Sequence, residues 1–164
     1  MCESCDILFT NVDEARALAG FDVSISPSAT ARHLSQFCPL VSVTDGAHGA
    51  YLALKGEVVF VPPSPCTPVD TCGAGDAYAA GVLFSLLKSV PDVASVGALA
   101  SRVAAVVVGQ QGTRLREEDA SEIADAVVQR TSPSREGLGV RSMEATSSLG
   151  VCGGLGEGSN GTNV

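Results

Sequence analysis

The chain has 164 residues, about the length of one domain, and its 10 Lys and Arg against 18 Asp and Glu leave a net charge of −8. This acidic balance argues against nucleic acid or an anionic membrane surface as the main partner, because like charges repel. The 45% share of apolar residues excludes disorder of the chain as a whole. The apolar runs are too short to predict a membrane span.

Six cysteines lie at irregular spacings, and residues 1–6 lack the basic charge of a signal or transit peptide. We therefore expect reduced thiols in an intracellular protein, cytoplasmic by default, with a plastid location open if a further segment precedes the chain. Cys2 and Cys5 have C-x-x-C spacing, but no second ligand pair follows at zinc spacing. Incidental cysteines are favoured over a redox or metal role.

The predicted elements of the first 130 residues alternate between strands and helices. Short apolar runs bounded by turn residues predict the strands, and capping signals predict the helix starts. The predicted order is strand 6–10, helix 11–19, helix 29–37, strand 41–44, a small hairpin of 51–54 and 57–61, and helices 75–89, 93–108 and 117–130. This order predicts an α/β domain with a largely parallel sheet, in which the apolar helix 75–89 is buried.

The composition changes near residue 131. Residues 131–164 hold eight of the 18 glycines and nine Ser or Thr. A segment of this composition buries too little apolar surface to offset the entropy cost of ordering it. We predict a domain over residues 1–130 followed by a disordered Gly/Ser-rich tail over residues 131–164. Residues 156–161 match G-x-G-x-x-G, but no predicted strand precedes them, so this match does not indicate a dinucleotide site.

The densest chemical signal is the segment 70–76 (DTCGAGD) at the start of the apolar helix. Gly73 and Gly75 allow a tight turn, and the unpaired N–H groups of a helix start bind anions. The carboxylate of Asp76 would repel a phosphate, unless it accepts the proton of a hydroxyl that attacks that phosphate. An ordinary helix cap at Asp76 explains this segment equally well.

Residues 70–81 (DTCGAGDAYAAG) resemble the C-terminal signature of the ribokinase (PfkB) carbohydrate kinase family. Two weaker motifs stand upstream in the family's order: residues 11–14 (NVDE) resemble its N-x-x-E motif, and residues 43–49 (VTDGAHG) resemble its T-x-G-x-x-G nucleotide loop. Ser101 stands where the family commonly has Asn. The resemblance covers about residues 5–130 and is strongest to plant and algal members of uncertain substrate.

The resemblance implies a ribokinase-like three-layer α/β/α fold, of which the chain holds the C-terminal part. It implies an ATP-dependent kinase that phosphorylates a hydroxyl of a sugar, nucleoside or related small molecule. By this resemblance Asp76 is the general base, and its N–H completes an anion hole with those of Gly73, Ala74 and Gly75. The nucleotide phosphates contact Thr44 and Gly46, with Gly49 completing the turn.

Metal positions also follow from the resemblance. Asn11 and Glu14 would hold Mg²⁺ through water, since this ion loses its hydration reluctantly. Backbone oxygens of Asp70 and Cys72, with the loop 111–113, match the position of a K⁺ ion in many family members. Two alternatives stay open: Glu14 as a solvated acid in a first helical turn, and Cys72 as a reactive thiol at a helix start.

The upstream half of the family's domain, with its lid and most sugar contacts, is expected before Asp6. A sheet divided there exposes an edge, so we expect self-association through that edge. A non-catalytic nucleotide-binding or regulatory remnant is the competing function. An NAD-binding Rossmann unit is disfavoured, because Tyr78 occupies the position of a required glycine.

Overall fold

The computed structural model describes residues 5–131, which form four strands and five α-helices. The strands are β1 (Ile7–Asn11), β2 (Leu40–Thr44), β3 (Ala50–Leu54) and β4 (Glu57–Val61), and the helices are α1 (Val12–Ala19), α2 (Pro27–Leu34), α3 (Ala74–Leu87), α4 (Val93–Val108) and α5 (Glu117–Thr131). The predicted α/β class is confirmed. Helix α2 spans Pro27–Leu34 rather than the predicted 29–37, and the Ser26 side chain, in the segment whose sequence signals a helix start, accepts a hydrogen bond from the N–H of Ala29 and caps it.

The four strands form one sheet in the order β1-β2-β3-β4. Strands β1 and β2 are parallel, whereas β2–β3 and β3–β4 are antiparallel. For these strands the prediction of a largely parallel sheet was wrong. A parallel pair needs a crossover connection, which α1 and α2 supply between β1 and β2. The loop 45–49 and the Lys55-Gly56 turn are too short to supply one.

Helices cover both faces of the sheet. Successive side chains of each strand point to opposite faces, so each face presents apolar residues that a helix layer can bury. One face packs against α3 and α4, in a core cluster that includes Leu40, Leu52, Val61, Val82 and Ala100. The other face packs against α1 and α2, in a cluster that includes Ala15, Ala31, Leu34, Val41 and Val43. The predicted three-layer α/β/α arrangement is therefore confirmed.

Helix α3 packs closely against α4 but is buried on one face only. A Cβ atom at Gly81 would lie 2.6 Å from the Cα of Ala100, so only glycine allows this approach of the two backbones. On the opposite face Leu83 and Leu86 are each 43% exposed and Leu87 is 84% exposed. The prediction that this apolar helix is buried therefore holds for one face only, because the sheet and α4 cover a single face.

The C-terminal boundary of the domain was predicted at residue 130, and α5 continues to Thr131. The remainder of the predicted tail, residues 132–164, lies outside the described residues, as do Cys2 and Cys152. Among residues 5–131, no helix combines the length and the apolarity needed to cross a lipid bilayer.

We predict that Gly81→Ala destabilises the domain by about 1–3 kcal/mol, because the added methyl group meets the backbone of α4 rather than a flexible side chain. Gly75→Ala is the matched control in the same helix: no atom lies within 4 Å of its Cβ position. Alanine there should be neutral or stabilising. Urea unfolding followed by circular dichroism measures both, and equal stabilities of the two variants would contradict the packing.

Candidate active site

Two of the predicted site residues lie side by side at the carboxyl ends of the parallel strands. Asn11 ends β1 and is the register partner of Thr44, which ends β2. The hydroxyl of Thr44 donates to the carbonyl of Thr10 at 3.3 Å and so joins the two strand ends. Ligands of open α/β sheets bind at this edge, where the strands end and the loops begin.

Asn11 and Glu14 form a reciprocal capping box at the start of α1. The Asn11 side-chain oxygen accepts from the N–H of Glu14 at 2.9 Å, and one Glu14 carboxylate oxygen accepts from the N–H of Asn11 at 2.9 Å. Both side chains thus satisfy main-chain groups that a helix start leaves unpaired. Within residues 5–131, no three His, Cys, Asp or Glu side chains cluster closely enough to hold a metal ion. Glu14 is exposed, and its metal role stays a prediction.

The predicted nucleotide loop follows β2 as a single 3₁₀ turn over Gly46–His48. The N–H of Asp45 donates to the carbonyl of Gly49 at 2.8 Å and closes the loop. Gly49 has a φ of +107°, and a Cβ there would lie 2.4 Å from the carbonyl oxygen of Val61. The glycine is therefore required for the turn that returns the chain into β3.

The predicted anion hole lies at the start of α3. Gly73 is the N-cap of this helix, with a left-handed φ of +79°. A Cβ at Gly73 would lie 2.7 Å from the Cβ of Thr113, so the turn needs glycine both for its conformation and for the space. Gly75 and Asp76 follow in the first helical turn, and both are exposed. The Asp76 carboxylate thus lies at the surface beside the glycine turn.

Three of the four predicted anion-hole amides have no acceptor among the described residues. The N–H of Ala74 donates to the carbonyl of Thr71 at 3.2 Å and is therefore engaged. Those of Gly73, Gly75 and Asp76 make no hydrogen bond within residues 5–131. Unpaired N–H groups at an exposed helix start, with the positive end of the helix dipole behind them, favour an anion.

The segment before the anion hole is held against the end of α4. The N–H groups of Val69 and Asp70 donate to the carbonyl of Val108 at 2.8 and 3.1 Å. One carboxylate oxygen of Asp70 accepts from the N–H of Cys72 at 2.9 Å, and the other from that of Gly112 at 3.4 Å. The structure therefore brings together the two segments that the resemblance assigns to K⁺. The alternative of a reactive Cys72 thiol stays a prediction for this exposed side chain.

Ser101, which replaces a common Asn of the family, is committed to internal hydrogen bonds. Its hydroxyl donates to the carbonyl of Pro62 at 3.0 Å and accepts from the N–H of Ser64 at 2.8 Å. The side chain is only 7% exposed. It fixes the proline-rich segment that leaves β4, a structural role that the sequence did not reveal.

The three-layer fold that carries these two glycine turns is similar to the solved structures of ribokinase-like kinases. Within that class, the chain belongs to the pfkB family of carbohydrate kinases, whose family model matches residues 1–120. The resemblance seen in the sequence motifs is thereby confirmed.

Known kinases resemble the chain in sequence and in structure. It is 38% identical over 89 residues to a fructokinase of Klebsiella pneumoniae, covering 53% of this chain and 28% of the relative. The crystal structure of adenosine kinase from Sinorhizobium meliloti superposes with a TM-score of 0.65 at 33% identity, covering 74% of this chain and 36% of that one.

A third similar structure carries ligands. It is a double mutant of the fructokinase from Vibrio cholerae O395 with bound fructose, ADP and potassium ion. Its TM-score is 0.55 at 28% identity, covering 66% of this chain and 36% of that one. The matched part of the chain thus spans about a third of the length of these kinases.

We predict that Asn11→Ala lowers the free energy of unfolding by about 1 kcal/mol, because it removes the side-chain acceptor of the capping box. Asn11→Asp is the matched control, since its carboxylate keeps an acceptor at the N-cap and should retain most of the stability. Urea denaturation of the three proteins tests this expectation. Equal stability of Asn11→Ala and the unsubstituted chain would show that the box contributes nothing.

Proposed function

We propose that the chain carries the nucleotide-binding and catalytic part of an ATP-dependent kinase that phosphorylates a hydroxyl of a sugar, nucleoside or related small molecule. The observation that supports this most strongly is the start of α3. Three amide N–H groups that have no acceptor within residues 5–131 occur there with one exposed carboxylate, that of Asp76, in four consecutive residues. Membership of the carbohydrate kinase family supports the same function.

The amides of Gly73, Gly75 and Asp76 would bind the phosphoryl group during transfer. Phosphoryl transfer proceeds through a loose transition state with charge spread over the equatorial oxygens, so fixed N–H donors stabilise it without rearranging. The left-handed turn at Gly73, wedged against Thr113, holds these donors in place before the ligand arrives. That preorganisation explains why glycine is needed at position 73, where a Cβ would collide with Thr113.

Asp76 would act as the general base for the acceptor hydroxyl. A carboxylate beside an anion site repels phosphate, so it weakens a site that only binds phosphate. It helps a site in which a hydroxyl must lose its proton as it attacks. The exposure of Asp76 leaves room for a hydroxyl to approach from solvent.

Mg²⁺ and K⁺ are the proposed ions of the site. Bound Mg²⁺ would neutralise phosphate charge. Asn11 and Glu14 would hold it through water, because this ion keeps its hydration and the single side-chain oxygen of Asn11 is already engaged in the capping box. The potassium ion of the similar fructokinase structure supports a monovalent site in this chain. Backbone oxygens of Asp70 and Cys72 are proposed to line it, beside the loop 111–113 that the Asp70 carboxylate holds nearby.

The competing function is a nucleotide-binding or regulatory module without catalysis. One observation favours it: the side chains of Asn11 and Glu14 have a sufficient structural role in the capping box without any metal. The two functions share the anion site and differ in the role of Asp76. A substitution at Asp76 that spares nucleotide binding therefore distinguishes them.

We predict that Asp76→Asn lowers phosphoryl transfer about 10²–10⁴-fold, because it removes the proton acceptor. Binding of Mg²⁺-ATP should persist within about threefold, since the amide donors stay in place. Asp92→Asn is the matched control: Asp92 caps α4, is exposed like Asp76, and lies at a helix start without the glycine turn. Calorimetry measures binding, and a panel of sugars and nucleosides with labelled ATP measures transfer.

Three outcomes decide between the functions. Transfer that is lost in Asp76→Asn and kept in Asp92→Asn supports the kinase. Nucleotide binding without transfer to any acceptor of the panel supports the non-catalytic module. The absence of binding at millimolar Mg²⁺-ATP contradicts both, and unchanged transfer by Asp76→Asn contradicts the role given to this residue.

A further inference from the structure

Two cysteines far apart in the sequence meet where β1 and β2 begin. The Cys5 thiol donates to the sulfur of Cys38, with the two Sγ atoms 3.4 Å apart. The Cys38 thiol donates in turn to the carbonyl of Leu40 at 3.3 Å, so its sulfur is held in place. The two residues are 33 positions apart in the sequence, and their spacing carries no motif that would have revealed the pair.

We propose that Cys5 and Cys38 are a redox-sensitive thiol pair that closes to a reversible disulfide. Cys5 and Cys38 each lie two residues before the register partners Ile7 and Leu40 of the parallel strands. Neighbouring strands are about 4.8 Å apart, within the range of Cα separations that a disulfide bridges. The hydrogen bond from Leu40 N–H to the carbonyl of Asp6, at 3.2 Å, holds the two segments at this spacing.

The two thiols differ in how easily a dissolved oxidant can reach them, and this difference decides which cysteine reacts first. Cys5 is half-buried and Cys38 is 1% exposed. Both line an open groove of about 630 Å³, together with Phe37 and Lys55. A small oxidant can therefore reach Cys5 from the groove. The buried Cys38 sulfur, 3.4 Å away, is placed to react with Cys5 afterwards.

The oxidant is a low-molecular-weight disulfide, and the exchange balances without another reactant. The Cys5 thiolate attacks one sulfur of the oxidant, which breaks the S–S bond and releases one thiol, leaving a mixed disulfide on Cys5. The Cys38 thiolate then attacks the Cys5 sulfur, forming the Cys5–Cys38 bond and releasing the second thiol. The protein loses two electrons and two protons, and the oxidant gains them. An excess of reduced thiol reverses the two exchange steps, and a regulatory disulfide inside cells must be reversible in this way.

Closing the disulfide would fasten β1 to β2 at the end opposite to Asn11 and Thr44. Among the described strands β1 lies at the sheet edge and pairs with β2 alone. A covalent link across 33 positions restricts the unfolded chain and so stabilises the folded one. The thiol pair is independent of the proposed kinase function, and its oxidation is measured without any activity assay.

The test uses the full chain in which Cys2, Cys66, Cys72 and Cys152 are replaced by Ser, so that only Cys5 and Cys38 stay. The folded protein is incubated with oxidised glutathione, and the linked cysteines are identified by mass spectrometry of non-reduced peptides. We expect a Cys5–Cys38 peptide and a melting temperature about 5–10 °C higher, both reversed by dithiothreitol. Hydrogen exchange of the β1 amides should slow on oxidation, while exchange in β4 should not change.

Two controls complete the experiment. Adding Cys5→Ser to this background should abolish both the linked peptide and the thermal shift. The chain with all six cysteines should give the same Cys5–Cys38 peptide, which tests the pair against a Cys2–Cys5 disulfide in the C-x-x-C segment. A Cys2–Cys5 peptide, a mixed disulfide on Cys5 that never resolves, or a Cys5–Cys38 link formed only in urea would overturn the proposal.

Discussion

The left-handed turn at Gly73 is the constraint on which the candidate site depends. It lets the chain leave the segment beside Val108 and enter α3 within a few residues, with Thr113 packed where a side chain of residue 73 would lie. The turn leaves the N–H groups of Gly75 and Asp76 at the exposed helix start without acceptors among the described residues. A residue with a Cβ at position 73 would strain the backbone and displace the loop after α4 together.

The parallel pair β1–β2 relates the candidate site to the thiol pair. Its carboxyl end carries Asn11 and Thr44, beside the start of α1 and the nucleotide loop. Cys5 and Cys38 lie just before its other end. The strand pair therefore separates the candidate site at one end of the strands from the proposed redox-sensitive thiol pair at the other. Val41 and Val43 of β2 are buried against α1 and α2, and this packing holds β2 in place.

Much of the fold could be predicted from the sequence, because its signals are local. The capping residues marked the helix starts, the Lys55-Gly56 turn marked the hairpin, and the glycine segment 70–76 marked the candidate site. Strand direction was harder, because hydrophobic pattern alone does not distinguish parallel from antiparallel neighbours. The exposed face of α3 was missed, because composition reports how apolar a helix is and not which neighbours cover it.

Other features depend on contacts that only the folded chain reveals. The N-x-x-E motif predicts a helix start and a metal position equally, and only the structure shows both side chains hydrogen-bonded to the backbone in a capping box. The hydrogen bond from the Ala74 N–H to the Thr71 carbonyl depends on the backbone conformation of the turn, which the glycine pattern does not specify. The meeting of Cys5 and Cys38 follows from strand register, which no single segment encodes.

The anion site at the start of α3 can be observed directly by a nuclear magnetic resonance titration of the ¹⁵N-labelled chain with a non-hydrolysable ATP analogue and Mg²⁺. We expect the amide signals of Gly73, Gly75 and Asp76 to shift most, because these groups would receive the phosphates. The signals of Thr44 and Gly46 in the nucleotide loop should shift with them. The already engaged amide of Ala74 should shift less. Shifts confined to other parts of the chain, or no shifts at millimolar ligand, would show that the start of α3 does not bind the phosphates.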